Sequence, residues 1–220
     1  MPPKEKTPAE KAAERARILD AALEILATDG YQGLTMRRLG QQIGASATKI
    51  YLYFVNKDEV YLSVIIEGYR LLLDDLRQAV AAHTDPEARL DAFFQAYADF
   101  ARTHPAFFQT MVQKKAPLQD HYTGTSLEHT ARTKFEAGLE VLHLTQQLLD
   151  ACLAQKGQRL QIPSDMAAFC LLVFLNGLLN ASHTGLTSEV FPQGDQLLSA
   201  SIQLLKNAFC NSSLPREEEP

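Results

Sequence analysis

The chain has no tryptophan and only three cysteines, Cys152, Cys170 and Cys210, among 220 residues. Their number is odd and their spacing wide, without the close pairs of zinc or redox sites, so they are read as reduced, small hydrophobes. No stretch alternates apolar and polar residues as a strand would, no segment repeats, and no uninterrupted apolar run reaches the roughly 18 residues of a spanning helix. The opening "MPPKEKTPAEKAAERARIL" is charged and lacks the apolar core of a signal peptide. Those absences set the expectation of a cytoplasmic protein that makes no use of a membrane. The sequence also lacks a nucleophile paired with a base and a glycine-rich phosphate cradle, so no catalytic residue and no cofactor is assigned and the chain is not read as an enzyme. Six histidines are scattered. His129 and His143 share a helix face but stand about 21 Å apart at 1.5 Å rise per residue, too far for one metal, and no metal site is expected.

What is present is a charge asymmetry and a set of helix signals. Residues 1 to 57 hold nine Lys and Arg against six Asp and Glu, a net of +3, whereas residues 58 to 220 hold twelve against twenty, a net of −8. A basic head on an acidic body suits a nucleic-acid partner, provided that a motif supports it.

Thr7-Pro8-Ala9-Glu10 has the form of a capping box with proline at the first helical position. Ile18, Ala21, Ala22, Ile25 and Leu26 then place one apolar stripe on a helix that ends at Gly30. After "YQG", Thr35 serves as N-cap for a short helix whose apolar positions are Met36, Leu39 and Ile43. Gly44 marks the turn, and Ser46 caps a third helix over about 47 to 54. Asn56-Lys57-Asp58-Glu59 opens a long helix to about Ala82. Further starts fall at Asp85-Pro86, His104-Pro105, Thr125 to Glu128 and Pro163-Ser164-Asp165, with stops near Gly157 and Gly185.

The fold class is therefore all-α, with about nine helices. The expected division is a head with its N-terminal arm over residues 1–56, a linking helix over 57–82, a helical body over 83–211, and a disordered acidic tail over 212–220. "APLQDHYTGT" is expected to be a mobile loop.

Two short helices joined by a glycine turn behind a longer one make a helix-turn-helix. In the second short helix Ile50 and Phe54 face inward, which leaves Ala47, Thr48, Lys49, Tyr51 and Tyr53 outward. Small side chains near such a helix's N-terminus allow close approach to base edges in a major groove, and Tyr, Thr and Lys can bond phosphates. The dipole near Ser46 adds a weak attraction for phosphate.

From Arg17 the run "RILDAALEILATDGYQGLTMRRLGQQIGASATKIYLYFVNKDEVYLSVI" closely resembles the DNA-binding head of the tetracycline-repressor (TetR) family of bacterial regulators. The resemblance implies a homodimer that binds a double-stranded DNA operator and is released by a small molecule held in the helical body. It also implies that Thr35, Tyr53 and Lys57 hold phosphates, that Tyr51 touches backbone or base, and that Arg37, Ala47, Thr48 and Lys49 approach base edges. Three residues depart from the family pattern. Gly40 stands where alanine is usual and should cost about 0.5 to 1 kcal/mol of local helix stability unless close packing requires it. Lys49 replaces the commoner threonine or serine, and Leu52 replaces histidine or another polar residue.

In the body, Phe93, Phe94, Tyr97, Phe100, Phe107, Phe108 and Met111 recur among polar residues. Such aromatics build cores and also line ligand cavities between helices. Candidate pocket residues are Phe93, Phe94, Tyr97, Phe107, Phe108, Met111, Phe174 and Asn176, for an effector of unknown identity, apolar or aromatic. "AAFCLLVFLNGLLNA" is apolar on every side except Asn176 and Asn180, and so should be buried on every side, against its own core and a second subunit. With the last helix it supplies the dimer-interface candidates Leu171, Leu175, Leu178, Leu198, Ile202, Leu205 and Phe209. The alternative readings are a helical small-molecule-binding protein that has lost its DNA function, and a thiol sensor.

Overall fold

The computed structural model describes residues 7–112, 117–186, 189 and 194–210. Among them are nine α-helices and no strand: α1 Pro8–Gly33, α2 Met36–Gln42, α3 Ala47–Ile50, α4 Lys57–Ala81, α5 Pro86–Thr103, α6 Pro105–Val112, α7 Glu128–Gln155, α8 Ser164–His183 and α9 Gly194–Cys210. A single 3-10 turn, Gln119–Tyr122, precedes α7.

Local signals set these boundaries. Thr7 accepts from the amide of Glu10 at 3.2 Å while the Glu10 carboxylate accepts from the amide of Thr7 at 2.7 Å, closing the capping box. The first helix breaks at Gly30, whose φ of 65° and ψ of −171° only glycine adopts readily, and resumes for one turn to Gly33. Asn56 caps α4 by accepting from the amides of Asp58 and Glu59, both at 3.0 Å.

Packing divides the chain into two compact units that are not consecutive segments. One joins Met1–Arg70 to His104–Ala137; the other joins Leu71–Thr103 to Gly138–Pro220. The sequence expectation instead divides the chain at loops. The reason for the difference is length: α4 has 25 residues and α7 has 28, so each begins in one unit and ends in the other.

In the first unit α1 packs on α6 and α2 on α3. Ile18, Ala22, Ile25 and Leu26 from α1 meet Leu39, Ile50, Phe54, Val60 and Leu62 in one buried cluster. Each large side chain so buried contributes roughly 1.5–3 kcal/mol. The segment expected to be a mobile loop joins this cluster through Tyr122, and Leu127, two residues beyond the segment, is buried there too. One aromatic side chain in a polar stretch gives no periodic signal that would place it inward. Residue 116, which opens that stretch, lies outside the described residues, as does the 212–220 tail.

In the second unit Phe93 and Phe94 are fully buried and meet edge to face, their ring centres 5.8 Å apart. The Tyr97 hydroxyl donates to Asn176 Oδ1 at 3.0 Å, tying α5 to α8. Lys206, buried on α9, pairs with Asp91 and Glu87 of α5. Burial pulls its ammonium pKa down, but the two carboxylates outweigh that and leave it raised.

The 20 residues of α8 contain a window of mean hydropathy 1.5, so by length and composition alone the helix is long and apolar enough to cross a membrane, although Asn176 and Asn180 interrupt its apolar run. Within the single chain it has a covered and an open side. Ala167, Ala168, Leu171, Leu175 and Leu179 are buried, while Met166, Phe169, Val173 and Phe174 on the other side are each at least half exposed.

Candidate nucleic-acid interface

The helix-turn-helix is held by contacts between backbones as well as by its apolar core. Thr35 caps α2 by accepting from the Arg38 amide at 3.1 Å, and Ser46 caps α3 by accepting from the Lys49 amide at 3.3 Å. Gly44, with φ 66°, makes the turn between them. Gly40 lies under that turn: a Cβ placed there would stand 2.8 Å from the Ala45 carbonyl oxygen and 3.1 Å from the Ala47 nitrogen. Close packing requires the glycine, and the departure from alanine is explained by two backbones in contact.

The regular α-helix of α3 is shorter than expected. It stops at Ile50, and the chain continues to Phe54 in tighter turns, with Leu52 N donating to Lys49 O and Tyr53 N donating to Ile50 O. Ile50 and Phe54 are nonetheless buried, at 0% and 1% exposure.

Polar side chains then bolt this unit to α1 and α4. Arg15 donates to the Tyr53 carbonyl at 2.7 Å and to Ser63 Oγ at 3.1 Å, and its guanidinium lies 4.0 Å over the Phe54 ring. It also pairs with Glu59 at 3.4 Å. Arg17 donates to the Ile43 carbonyl, and Gln42 to Glu24 at 2.8 Å. Arg38 pairs with Asp29; the Thr28 hydroxyl and then Arg38 hold the Asp29 carboxyl below its ordinary range. Tyr31 donates to Asp58, meets Tyr61 edge to face at 5.2 Å, and lies 4.1 Å beneath the Lys57 ammonium. Burial and then the Asp58 carboxylate push the Tyr31 pKa up, and burial with Tyr69 raises Tyr61 to about 12. Beside the first turn of α4 a cleft of about 270 Å³ is lined in part by Asp58, His121 and Tyr122. The Tyr122 hydroxyl is buried with no hydrogen-bond partner among the described residues.

The eight residues assigned to DNA fall into three groups. Thr35, Arg37, Thr48 and Tyr51 are exposed, on α2, α3 and their caps. Ala47, Tyr53 and Lys57 are half-buried, with Lys57 over Tyr31. Lys49 is different: its ammonium pairs with Glu14 of α1, so it is turned toward the protein and not outward as the helical count alone suggests. Two residues were missed. Leu52 is the most exposed large hydrophobe of the stretch, at 78%. The sequence reading names it as a departure from the family pattern and leaves it out of the outward set. Arg15 lies three residues before Ile18 on the buried stripe of α1, a position at which a cation signals a cross-link.

The effector candidates separate between the two units. Phe93, Phe94, Tyr97 and Asn176 lie together in the second. Phe107, Phe108 and Met111 lie in the first, where Phe107 and Met111 pack against the buried cluster beside Gly68. Phe174, 50% exposed, is on the outer side of α8 and does not line a core pocket. The interface candidates Leu171, Leu175 and Leu205 are buried in the chain's own core, and Leu178 and Ile202 are half-buried. The enclosed side chains of Leu171, Leu175 and Leu205 have no open surface to offer a partner, whereas Leu178 and Ile202 keep part of theirs. The side chains of Leu198 and Phe209 lie outside the described residues. Cys152 is buried, Cys170 is exposed on α8, and no cluster that could hold a metal occurs among the described residues.

A capped helix-turn-helix on an otherwise helical chain defines the class of helix-turn-helix regulators. Residues 18–64 match the family described as bacterial regulatory proteins, tetR family, and residues 90–205 match the tetracyclin repressor-like C-terminal domain. The chain belongs to the TetR family. It is 34% identical over 86 residues to the HTH-type transcriptional activator FasR of Mycolicibacterium smegmatis, covering 39% of each chain. It is 26% identical over 81 residues to a fatty acid metabolism regulator protein of Bacillus subtilis, covering 37% of this chain and 42% of that one. The matched stretches thus span about two fifths of these relatives. The fatty acid degradation regulator FadR from Bacillus halodurans shares the fold, with a TM-score of 0.66 at 20% identity over 92% of this chain and 96% of that one.

Proposed function

We propose that this chain is a cytoplasmic transcriptional repressor that binds a near-palindromic operator as a homodimer and leaves it on binding a small molecule. The observation that carries the reading is the open face of α2 and α3, with Thr35, Arg37, Thr48 and Tyr51 exposed on a scaffold that Arg15, Arg17 and Gln42 tie together across its helices. Thr35, Tyr53 and Lys57 would hold phosphates; Arg37, Ala47, Thr48 and Tyr51 would approach base edges. Lys49 would reach DNA only by leaving Glu14.

Two recognition helices reading successive major grooves stand about 34–36 Å apart. The partner copy would sit on the outer face of α8 and α9, where Phe169, Val173, Phe174 and Leu204 are exposed. The effector would lie in the body beside Phe93, Phe94 and Tyr97, with Asn176 as a polar anchor. Relatives named for fatty acid metabolism and degradation make acyl compounds the first class to screen. Release requires the effector to prefer a conformation that DNA does not, with coupling of about 1–3 kcal/mol.

The test is selection of bound duplexes from a random pool, followed by titration at two salt concentrations. An enriched inverted repeat with affinity falling steeply with salt is the expected result. Binding without enrichment, at low salt only, would overturn the reading.

A further inference from the structure

We infer that Leu52 determines operator specificity by contacting the C5-methyl group of a pyrimidine, thymine or 5-methylcytosine, in the major groove. The inference rests on the DNA-binding reading above and deepens it.

A lone leucine on a surface is ordinary; its surroundings set this one apart. Tyr51, Leu52 and Val55 are 55%, 78% and 58% exposed, three large side chains within five residues. They stand in the part of the chain with the basic excess. The opposite face of the same turns, Ile50 and Phe54, is closed. Lys49 is engaged by Glu14 and the Tyr53 carbonyl by Arg15, so Thr48, Tyr51 and Leu52 are what this face presents. A segment with a basic excess suits a polyanion. Leu52 neither donates nor accepts a hydrogen bond. On the floor of the major groove the apolar group it can meet is a pyrimidine methyl, whereas against G·C it would bury base-edge donors and acceptors without partners. Leu52 therefore attracts one class of base and rejects another.

The experiment takes the selected operator and replaces its thymines by uracil, one symmetric pair at a time, with the full-length wild type and with Leu52→Ala. At one pair the wild type should lose about fourfold for one half-site and about fifteenfold for both, as expected for one buried methyl each. Leu52→Ala should not feel that replacement, while its response at every other position, its salt slope and its Tm match the wild type. Selection of unmethylated cytosine at that position would contradict the inference, since Leu52 would then face a base edge with no methyl. An operator bound with a steep salt slope, but with no methyl whose effect depends on Leu52, overturns this inference and leaves the DNA-binding reading intact. Failure to select any operator sinks that reading instead.

Discussion

The helix-turn-helix head and the α8–α9 layer of the body leave opposite kinds of surface uncovered. In the head nearly every apolar side chain is enclosed, and the open face carries hydroxyls, Arg37 and the Tyr51–Leu52 pair. On α8 and α9 the polar contacts, Tyr97 with Asn176 and Lys206 with Asp91 and Glu87, point to the chain's own core. There the open face is Met166, Phe169, Val173, Phe174 and Leu204. The difference fits the two roles proposed above: a face for DNA keeps hydrogen-bonding groups in water, and a face for a second copy keeps apolar area there.

The strongest way to break that comparison is to charge the apolar face. Phe169→Glu is expected to stay folded, sediment as a monomer, and lose operator affinity by about a hundredfold or more, because a dimer engages two half-sites at once. Leu171→Ala, on the buried side, should do the reverse: about 2–5 kcal/mol of stability lost in urea titration with association retained. An unchanged dimer in the first variant would reverse the assignment of the two faces.

Within the head, Gly40→Ala tests the contact between α2 and the following turn. Alanine favours a helix by about 1 kcal/mol over glycine, yet overpacking against the Ala45 and Ala47 backbone should give a net loss of about 1–2 kcal/mol and weaker operator binding. A more stable variant would show that the two backbones are not in contact.

Much of this was legible in sequence because it is local. The caps at Thr7, Thr35, Ser46 and Asn56, the stop at Gly30 and the turn at Gly44 all lie within four residues of the groups they serve. The face of α8 was not legible, because a helix apolar on all sides has no polar stripe to set its phase. Nor was the engagement of Lys49: Glu14 lies 35 positions earlier, and only the folded chain brings the two together.

That pairing allows a finer test of the head. Lys57→Ala should weaken binding to all duplexes and lower the log–log salt slope by about one, as expected for one lost phosphate contact. Lys49→Ala should leave the slope unchanged; a drop equal to that of Lys57→Ala would mean that Lys49 leaves Glu14 for DNA. The smallest effect is expected at Tyr122, whose buried hydroxyl has no partner among the described residues. Tyr122→Phe should gain up to about 1 kcal/mol in thermal or urea unfolding, since it removes a desolvated group and no bond. A loss of stability would reveal a bond to that hydroxyl.

Arg15 joins the turns after α3 to α1 and α4 with a guanidinium, whose planar fork reaches a carbonyl, a hydroxyl and a carboxylate at once. Residues 1–57, which carry every side chain assigned to the operator, contain no histidine. The joint and the reading surface are thus built without the side chain whose charge ordinarily changes near neutrality. On the reading proposed above, acidification by a unit is expected to leave the DNA contacts made by residues 1–57 unchanged, and an acid response would originate in the effector or in the histidines beyond residue 57.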